Sequence, residues 1–212
     1  MKERPILFSA PMVRAILDGS KTQTRRVIKA QPNPGEWPLL DIAIDMRGNR
    51  VGAAVWWMDE NNQHGDERLC PYGQPGDRLW VRETFTATRD RETIIYRADP
   101  LYADMLRGDL GRDWAWTSSI HMPRWASRIL LEVTGVRVER IQDISEEDAK
   151  AEGASPTLTS LDATQFGAVG TCREGFRQIW ESINGEKSWD ANPWVWVIEF
   201  KRIDSAALKQ AA

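Results

Sequence analysis

The sequence of 212 residues predicts a mixed α+β fold: one domain over residues 1–203, interrupted by long loop insertions. Phe176, Ile179, Trp180 and Ile183 follow the spacing of an amphipathic helix over residues 173–183, and we expect this stripe to face the core. Residues 194–200 are instead apolar on both faces of a strand except at one glutamate, which is typical of a central or barrel-closing strand. Pro and Gly recur through residues 31–72 and break long regular elements there. Helices and strands are therefore mixed along the chain.

The N-terminal elements are a short strand and a helix. Residues 5–8 form an apolar run, and Pro11 suits the first turn of the helix that follows. Ala15 and Ile16 keep the helical period, and Gly19 then favours a left-handed cap. We expect the chain to turn sharply at Gly19.

The composition is that of a globular protein, with 42% hydrophobic and 28% charged residues. No apolar run approaches the roughly 18 residues that span a bilayer, and the N-terminus lacks a signal-peptide pattern. We therefore expect a cytoplasmic protein with no membrane partner. The net charge of −3 argues against binding duplex nucleic acid through bulk electrostatics.

The sequence predicts a site without a cofactor or a metal. Cys70 and Cys172, taken with His64 and His121, do not have zinc-ligand spacing. Neither common type of glycine-rich phosphate loop occurs.

The stretch from Gly19 to Arg26 concentrates one amine, three hydroxyls and two guanidinium groups in eight residues. Lys21 and Thr24 lie three residues apart, a spacing that a strand sends to opposite faces but that a turn lets converge. In a turn, the lysine can serve as base or nucleophile while the threonine hydroxyl orients it. The alternative is a solvated basic loop.

Residues 78–86 alternate as a strand does, and Glu83 falls on the apolar face. A carboxylate there must be paired or hydrogen-bonded, or its pKa rises; alternatively, Glu83 lies at a strand end outside the core. Arg82, on the other face, and Tyr96, on the expected partner strand 94–97, are further candidate substrate-binding residues.

His121, Arg124 and Trp125 place an imidazole, a guanidinium and an indole close together in one segment. Such a set suits a planar polar ligand, because Trp125 can stack and Arg124 can hold a phosphate or carbonyl group. A single loop histidine is, however, more often structural than catalytic.

The C-terminal half begins with a long strand over residues 128–140, which we expect to bend at Gly135. Ser145 is a good N-cap for the short helix that follows and ends at Gly153. Glu152 is the last helical residue and lies at the negative end of the helix dipole. Such a carboxylate is either exposed and harmless or kept for a task.

Four segments in this order resemble the ASCH superfamily, whose fold is similar to the PUA RNA-binding domain. They cover about half of the chain and are Gly19-x-Lys21-Thr22-x-Thr24-x-Arg26, Gly76-Asp77-x-Leu79-x-Val81, Ile144-Ser-Glu-Glu-Asp-Ala149-x-x-Glu152-Gly153 and Val195-Trp-Val-Ile-Glu-Phe200. The pattern of these segments is similar to that of large phage- and prophage-encoded members of the superfamily. The resemblance implies a small β-barrel with short helices at its rim and a cleft for a nucleoside or nucleic acid. Residues 31–72, 99–119 and 154–171 would then be insertions, and residues 204–212 a frayed tail.

Small bacterial amidohydrolases of this family cleave N4-acetylcytidine with a lysine, a threonine and a glutamate. The resemblance assigns these roles to Lys21, Thr24 and Glu152, in a reaction without metal or cofactor. Arg26 would stabilise the developing oxyanion. The sequence leaves open whether lysine, threonine or water attacks the amide.

Two other functions are compatible with the same residues. A single-stranded RNA-binding protein or ribonuclease would hold phosphate with Lys21 and Arg26 and move the 2′-hydroxyl proton with Glu83 or His121. A non-enzymatic phage accessory protein would bind a nucleotide or a protein partner. The expected ligand is a modified nucleoside or single-stranded RNA, and the sequence makes no prediction of oligomeric state.

Overall fold

The computed structural model describes residues 1–44, 47, 50–61, 63, 65, 67–88, 91–102, 115–157 and 170–203. Within these ranges it contains ten strands and three α-helices, which confirms the mixed α+β class. No helix in the described part of the chain is long and apolar enough to cross a membrane. Most of the expected insertions at 99–119 and 154–171, and the tail at 204–212, lie outside the described residues.

The elements in chain order are β1 (Glu3–Leu7), α1 (Ala10–Leu17), β2 (Gln23–Val27), β3 (Trp37–Ile44), β4 (Arg50–Met58), β5 (Arg68–Leu69), β6 (Arg78–Arg82), β7 (Phe85–Ala87), β8 (Ile94–Tyr96), β9 (Leu130–Arg140), α2 (Glu146–Ala151), α3 (Cys172–Asn184) and β10 (Trp194–Ile203). The chain divides into two compact units. Among the described residues, the first unit comprises those within 1–19, 76–132 and 201–203, and the second comprises those within 20–75 and 133–200.

In the first unit, β1 pairs in parallel with β6, and β6 pairs antiparallel with the first residues of β9. The strand expected over residues 78–86 is two strands, because Glu83 and Thr84 separate β6 from β7. The predicted alternation is confirmed, since Leu79, Val81 and Glu83 are all buried. β7 and β8 form a separate antiparallel pair.

α1 begins at Ala10, carries Pro11 in its first turn and buries Val13 and Ile16. Gly19, two residues after its end, has a φ of +85°, which confirms the predicted left-handed turn.

In the second unit, β10 lies between β9 and β2. Its residues from Val195 to Ile198 are all buried, so both faces are covered and the prediction of a central strand is confirmed. Val195 and Val197 join α2 and α3 in one hydrophobic core with Phe176 and Trp180.

Residues 31–72 contain longer regular elements than the sequence suggested. β3 and β4 are eight and nine residues long and pair antiparallel, so the hairpin strand predicted near residues 51–58 is confirmed. Pro38 lies within β3, where a missing N–H donor is tolerated because β3 is an edge strand.

α3 extends the predicted helix by one residue at each end. Thr171 and Glu174 form a reciprocal capping box at its start, and Gly185 follows its end with a φ of +97°. Phe176 and Trp180 are buried as predicted, but Ile183 is 57% exposed, so its assignment to the core stripe was wrong. Ile183 lies in the last turn of the helix, beyond Trp180, the last of its buried residues.

We predict that Gly175→Ala lowers the free energy of unfolding, although alanine normally favours a helix. A Cβ at Gly175 would overlap the backbone carbonyl oxygen of Ser155, which cannot move aside as a flexible side chain can. Overpacking of this kind costs about 1–3 kcal/mol. Urea denaturation measures the change, with Gln178→Ala as control because Gln178 is exposed on the same helix. Equal stability of the two variants would contradict the prediction.

Candidate functional site

Lys21 and Glu152, which are 131 positions apart in sequence, contact each other in the second unit. The Lys21 Nζ donates to Glu152 Oε2 at 2.6 Å and to the Glu152 backbone oxygen at 2.8 Å. The two backbones also form a β-bridge, and the Thr22 N–H donates to the Ala151 oxygen at 2.8 Å. The Lys21 side chain is 0% exposed and that of Glu152 is 3% exposed. The structure therefore brings together two of the three predicted catalytic residues.

The end of α2 positions Glu152. Ser145 caps the start of the helix, where its Oγ accepts from the Asp148 N–H at 3.0 Å, as the sequence predicted. Gly153 ends the helix with a φ of +81°. The Glu152 carboxylate thus lies at the negative end of the helix dipole, where Lys21 and Arg25 offset the unfavourable charge. Glu152 is not an exposed, harmless carboxylate.

Arg25 is the centre of the charge network around this pair. Its Nη1 lies 3.2 Å from Glu152 Oε1, its Nη2 lies 2.7 Å from Asp148 Oδ2, and its Nε donates to Glu139 Oε1 at 2.9 Å. The Arg25 side chain is 0% exposed. A guanidinium group bound by three carboxylates is held rigidly, and it fixes the Glu152 carboxylate from the side opposite Lys21.

Sequence reasoning missed Arg25, although two local signals point to it. Lys21, Gln23 and Arg25 are spaced by two, which places them on one side of an extended chain. Asp148 and Glu152 are spaced by four on a helix and share a face. In the structure, Lys21 pairs with Glu152, and Arg25 pairs with both Asp148 and Glu152.

Arg137 of β9 extends the network away from Lys21. Its guanidinium lies 2.6 Å from Asp148 Oδ2 and 3.1 Å from Glu139 Oε2, and it also pairs with Glu199. A Cβ at Gly135 would lie 2.7 Å from Glu199 Oε2, so the glycine leaves room for this carboxylate.

Burial lowers the pKa of Lys21, because an ammonium group without water is unfavourable. The Glu152 carboxylate opposes this effect, and the charges of Arg26 and Arg25 add to it. For Asp148, burial alone would raise the pKa, but Arg25 and Arg137 outweigh burial and the pKa is lowered. The site therefore combines the Asp148 carboxylate, whose pKa is lowered, with the Lys21 amine, which gives up its proton more readily than an exposed lysine does.

Thr24 and Arg26 lie on the other face of β2. In the pairing with β10, Thr24 is opposite Ile198 and Arg26 is opposite Trp196, whereas Arg25 is opposite Val197. Because strand side chains alternate, Thr24 and Arg26 project away from the face of Arg25. The turn predicted around Gly19 does not extend to Thr24. Thr24 lies in strand β2 instead, because it pairs with Ile198 of β10.

A cavity of about 320 Å³ lies near the end of β2 in the second unit. Its lining includes Tyr72, Trp196 and the cations Lys29 and Arg68. Burial raises the pKa of the Tyr72 phenol, and the charge of Arg26 opposes that rise. Sequence reasoning missed both aromatic residues. Aromatic walls with nearby cations suit a planar polar ring.

Glu83 and Tyr96 meet in the first unit around Arg128. The Glu83 carboxylate accepts from Arg128 Nε at 2.9 Å and from Nη2 at 3.1 Å. Glu83 is buried, and burial raises its pKa despite Arg128. The Arg128 guanidinium lies 3.9 Å from the centre of the Tyr96 ring, and the Tyr96 hydroxyl donates to the Ala126 oxygen at 2.9 Å. The expectation that a carboxylate on the apolar face is paired is confirmed.

Arg82 and Arg124 lie against the same indole ring in the first unit. Their guanidinium carbons are 5.5 and 6.0 Å from the centre of Trp80. Arg124 also pairs with Glu3 through its Nε at 3.0 Å, and Arg82 donates to the Ile120 oxygen.

Trp125 and His121 have other surroundings. Trp125 is 45% exposed, and the guanidinium of Arg91 lies 4.8 Å from its ring. His121 is exposed and lines a different cavity of the first unit. Met122, between them in sequence, is buried against Phe85. His121, Arg124 and Trp125, which the sequence placed close together, therefore each have different contacts in the structure.

The chain matches no protein-family model, no curated protein and no solved structure. In the described part of the chain, no group of three or more His, Cys, Asp and Glu side chains is arranged to hold a metal ion.

We predict that the free energy of unfolding rises with pH in the alkaline range because of Lys21. Its folded pKa lies below the ordinary value of 10.5, so between these two values the unfolded chain binds more protons than the folded chain. Below the folded pKa, the cost of burying the charge is fully present. Lys21→Met should remove this upward contribution while Arg25 still pairs with Glu152. Urea denaturation at several pH values checks it, and identical pH slopes in wild type and variant would refute it.

Proposed function

We propose that this chain is a cytoplasmic, metal-independent amidohydrolase that removes the acyl group from N4-acetylcytidine or a related N4-acylated cytidine. The observation that carries the proposal is the buried Lys21–Glu152 pair, with Nζ and Oε2 2.6 Å apart. The order of the four ASCH-like segments supports it, and it includes a PUA-like small β-barrel as the finer description of the fold. Catalytic amines are often lysines whose pKa burial has lowered.

The reaction adds water across the bond between the acyl carbon and N4. The neutral Lys21 amine removes a proton from the attacking water, whose oxygen bonds to the acyl carbon. The lysine ammonium then returns a proton to N4 as the carbon–nitrogen bond breaks, which gives cytidine and acetic acid. One group serves as base and then as acid, so its pKa must lie near the working pH.

Glu152 acts as a positioning residue in this scheme. Two acceptors of the same residue, the carboxylate and the backbone oxygen, hold the Lys21 Nζ. Arg25 holds the other carboxylate oxygen, so the pair has a fixed geometry. The negative charge of Glu152 also limits how far burial lowers the pKa of Lys21.

In this proposal, the reacting atoms lie on the side of the chain where Lys21 and Arg25 bind Glu152. Thr24 and Arg26 project from the opposite face of β2 and do not touch those atoms. Arg26 acts through its charge, which helps to lower the pKa of Lys21.

A second candidate function is binding of single-stranded RNA. It is favoured by the first unit, where Arg82 and Arg124 lie against Trp80 and where Trp125 is 45% exposed beside Arg91. Exposed aromatic rings with arginine neighbours can stack with bases and neutralise phosphates.

We predict that the wild-type protein converts N4-acetylcytidine to cytidine in the presence of a chelator, and that Lys21→Met lowers kcat by about 100- to 10,000-fold, the usual contribution of acid–base catalysis. Chromatographic separation of substrate and product measures turnover. Lys187→Met is the matched control, because Lys187 is an exposed lysine of the same unit.

The absence of turnover by folded wild type would overturn the amidohydrolase proposal. Full activity of Lys21→Met would overturn the role of Lys21. Binding of single-stranded RNA that weakens steeply with salt, in a protein without turnover, would favour the second candidate, because phosphate contacts release counterions.

We further predict that Glu152→Gln shifts the pH profile of kcat/KM. The amide keeps the size of the side chain but removes the charge that raises the pKa of Lys21. The rising limb, where Lys21 loses its proton, should therefore move to lower pH. Arg137→Gln is the control, because Arg137 belongs to the same charge network but pairs with Glu139, Asp148 and Glu199. A lower rate with an unmoved limb would mean that Glu152 is only structural.

A further inference from the structure

We infer that a cavity in the first unit, which the proposed reaction does not use, binds a small phosphate monoester. The cavity has a volume of about 470 Å³, and its described lining consists of Thr84, Arg97, Trp116, Thr117, Ser118 and His121. This volume lies within the range of about 300–1,000 Å³ that is usual for small-molecule sites.

Trp116 provides the first argument. The residue is 7% exposed, and its indole Nε1 has no hydrogen-bond partner among the described residues. Buried polar groups are nearly always hydrogen-bonded, and each exception requires an explanation. An indole nitrogen can only donate, so the missing partner must be an acceptor. A ligand with oxygen atoms in the cavity would supply it.

Charge provides the second argument. The guanidinium carbon of Arg97 lies 5.8 Å from the centre of the Trp116 ring. None of the six described lining residues is acidic. The guanidinium group therefore lies against an aromatic ring in a cavity whose described lining carries no negative charge, and such a cavity attracts an anion.

The donors favour phosphate over carboxylate. Besides the indole and the guanidinium group, the lining carries three hydroxyl groups and the imidazole of His121. A phosphate monoester presents three terminal oxygens and a carboxylate only two, so phosphate can accept hydrogen bonds from more of these donors at once. The cavity also exceeds what a bare phosphate fills, so the phosphate is expected on an organic group.

The walls of the cavity are fixed by backbone hydrogen bonds. The Arg97 N–H donates to the Thr84 oxygen at 3.0 Å. Phe85 and Thr117 exchange two hydrogen bonds, of 3.2 and 2.7 Å, and form an antiparallel bridge. Thr84, Arg97 and Trp116 are therefore presented by paired backbone segments, which is the rigid support that a binding site needs.

Nuclear magnetic resonance of the full-length, ¹⁵N-labelled protein tests the proposal. Trp116→Phe identifies the Trp116 indole resonance among those of the eleven tryptophans. Cytidine 5′-monophosphate, inorganic phosphate and acetate are titrated at constant ionic strength. The Trp116 resonance should shift saturably with both phosphate compounds and not with acetate. Arg97→Gln should weaken binding about tenfold or more, because it removes a charge-assisted hydrogen bond.

Arg91→Gln is the matched control, because Arg91 lies over Trp125 and does not line the cavity. Thr84→Val serves as a second variant if Arg97→Gln does not fold, and it should also weaken binding. An unmoved Trp116 resonance with both phosphate compounds would overturn the proposal. An equal shift with acetate, or equal affinity in a folded Arg97→Gln variant, would overturn it as well. The test is independent of the amidohydrolase assay, since it measures binding and not turnover.

Discussion

The second unit depends on the buried charge of Arg25. A guanidinium group with 0% side-chain exposure is tolerable only because three carboxylates surround it, and removing one partner of a buried pair typically costs about 3–5 kcal/mol. These carboxylates come from β9 and from α2, so Arg25 ties β2 to both. The end of α2 can therefore occupy only a narrow range of positions. The contact between Glu152 and Lys21 follows from that constraint.

The properties of Lys21 result from two opposed effects, of which burial is the larger. An exposed lysine stays protonated near neutral pH, whereas a lysine buried without a carboxylate loses its proton easily and has no fixed orientation. Glu152 reduces the effect of burial and fixes the Nζ with two hydrogen bonds. Arg25 then holds the Glu152 carboxylate in place through its other oxygen. The charge network thus links the stability of the fold to the acidity of one amine.

The elements that the sequence predicted well have local causes. The burial of Phe176 and Trp180 follows from the helical period, and the Ser145 cap follows from turn chemistry. The pairing of Glu83, one of two alternatives that the sequence left open, follows from the cost of a buried charge. The network of Arg25 has no such local cause, because its hydrogen bond to Glu139 joins residues 114 positions apart. Thr24 illustrates the same limit. The Gly19 turn was correctly predicted, but a strand partner more than 170 positions away decides the conformation of Thr24.

The Glu83–Arg128 and Lys21–Glu152 pairs differ in what they can do chemically. The Glu83 carboxylate accepts from the Nε and the Nη2 of Arg128. A guanidinium group keeps its proton at any physiological pH. That pair can hold a shape or a charge, but Arg128 cannot pass a proton to a substrate. Glu152 is bound by a lysine, whose amine can exist in either protonation state once burial has lowered its pKa. The identity of the cation, more than the burial or the distance, therefore makes Lys21–Glu152 the pair suited to catalysis.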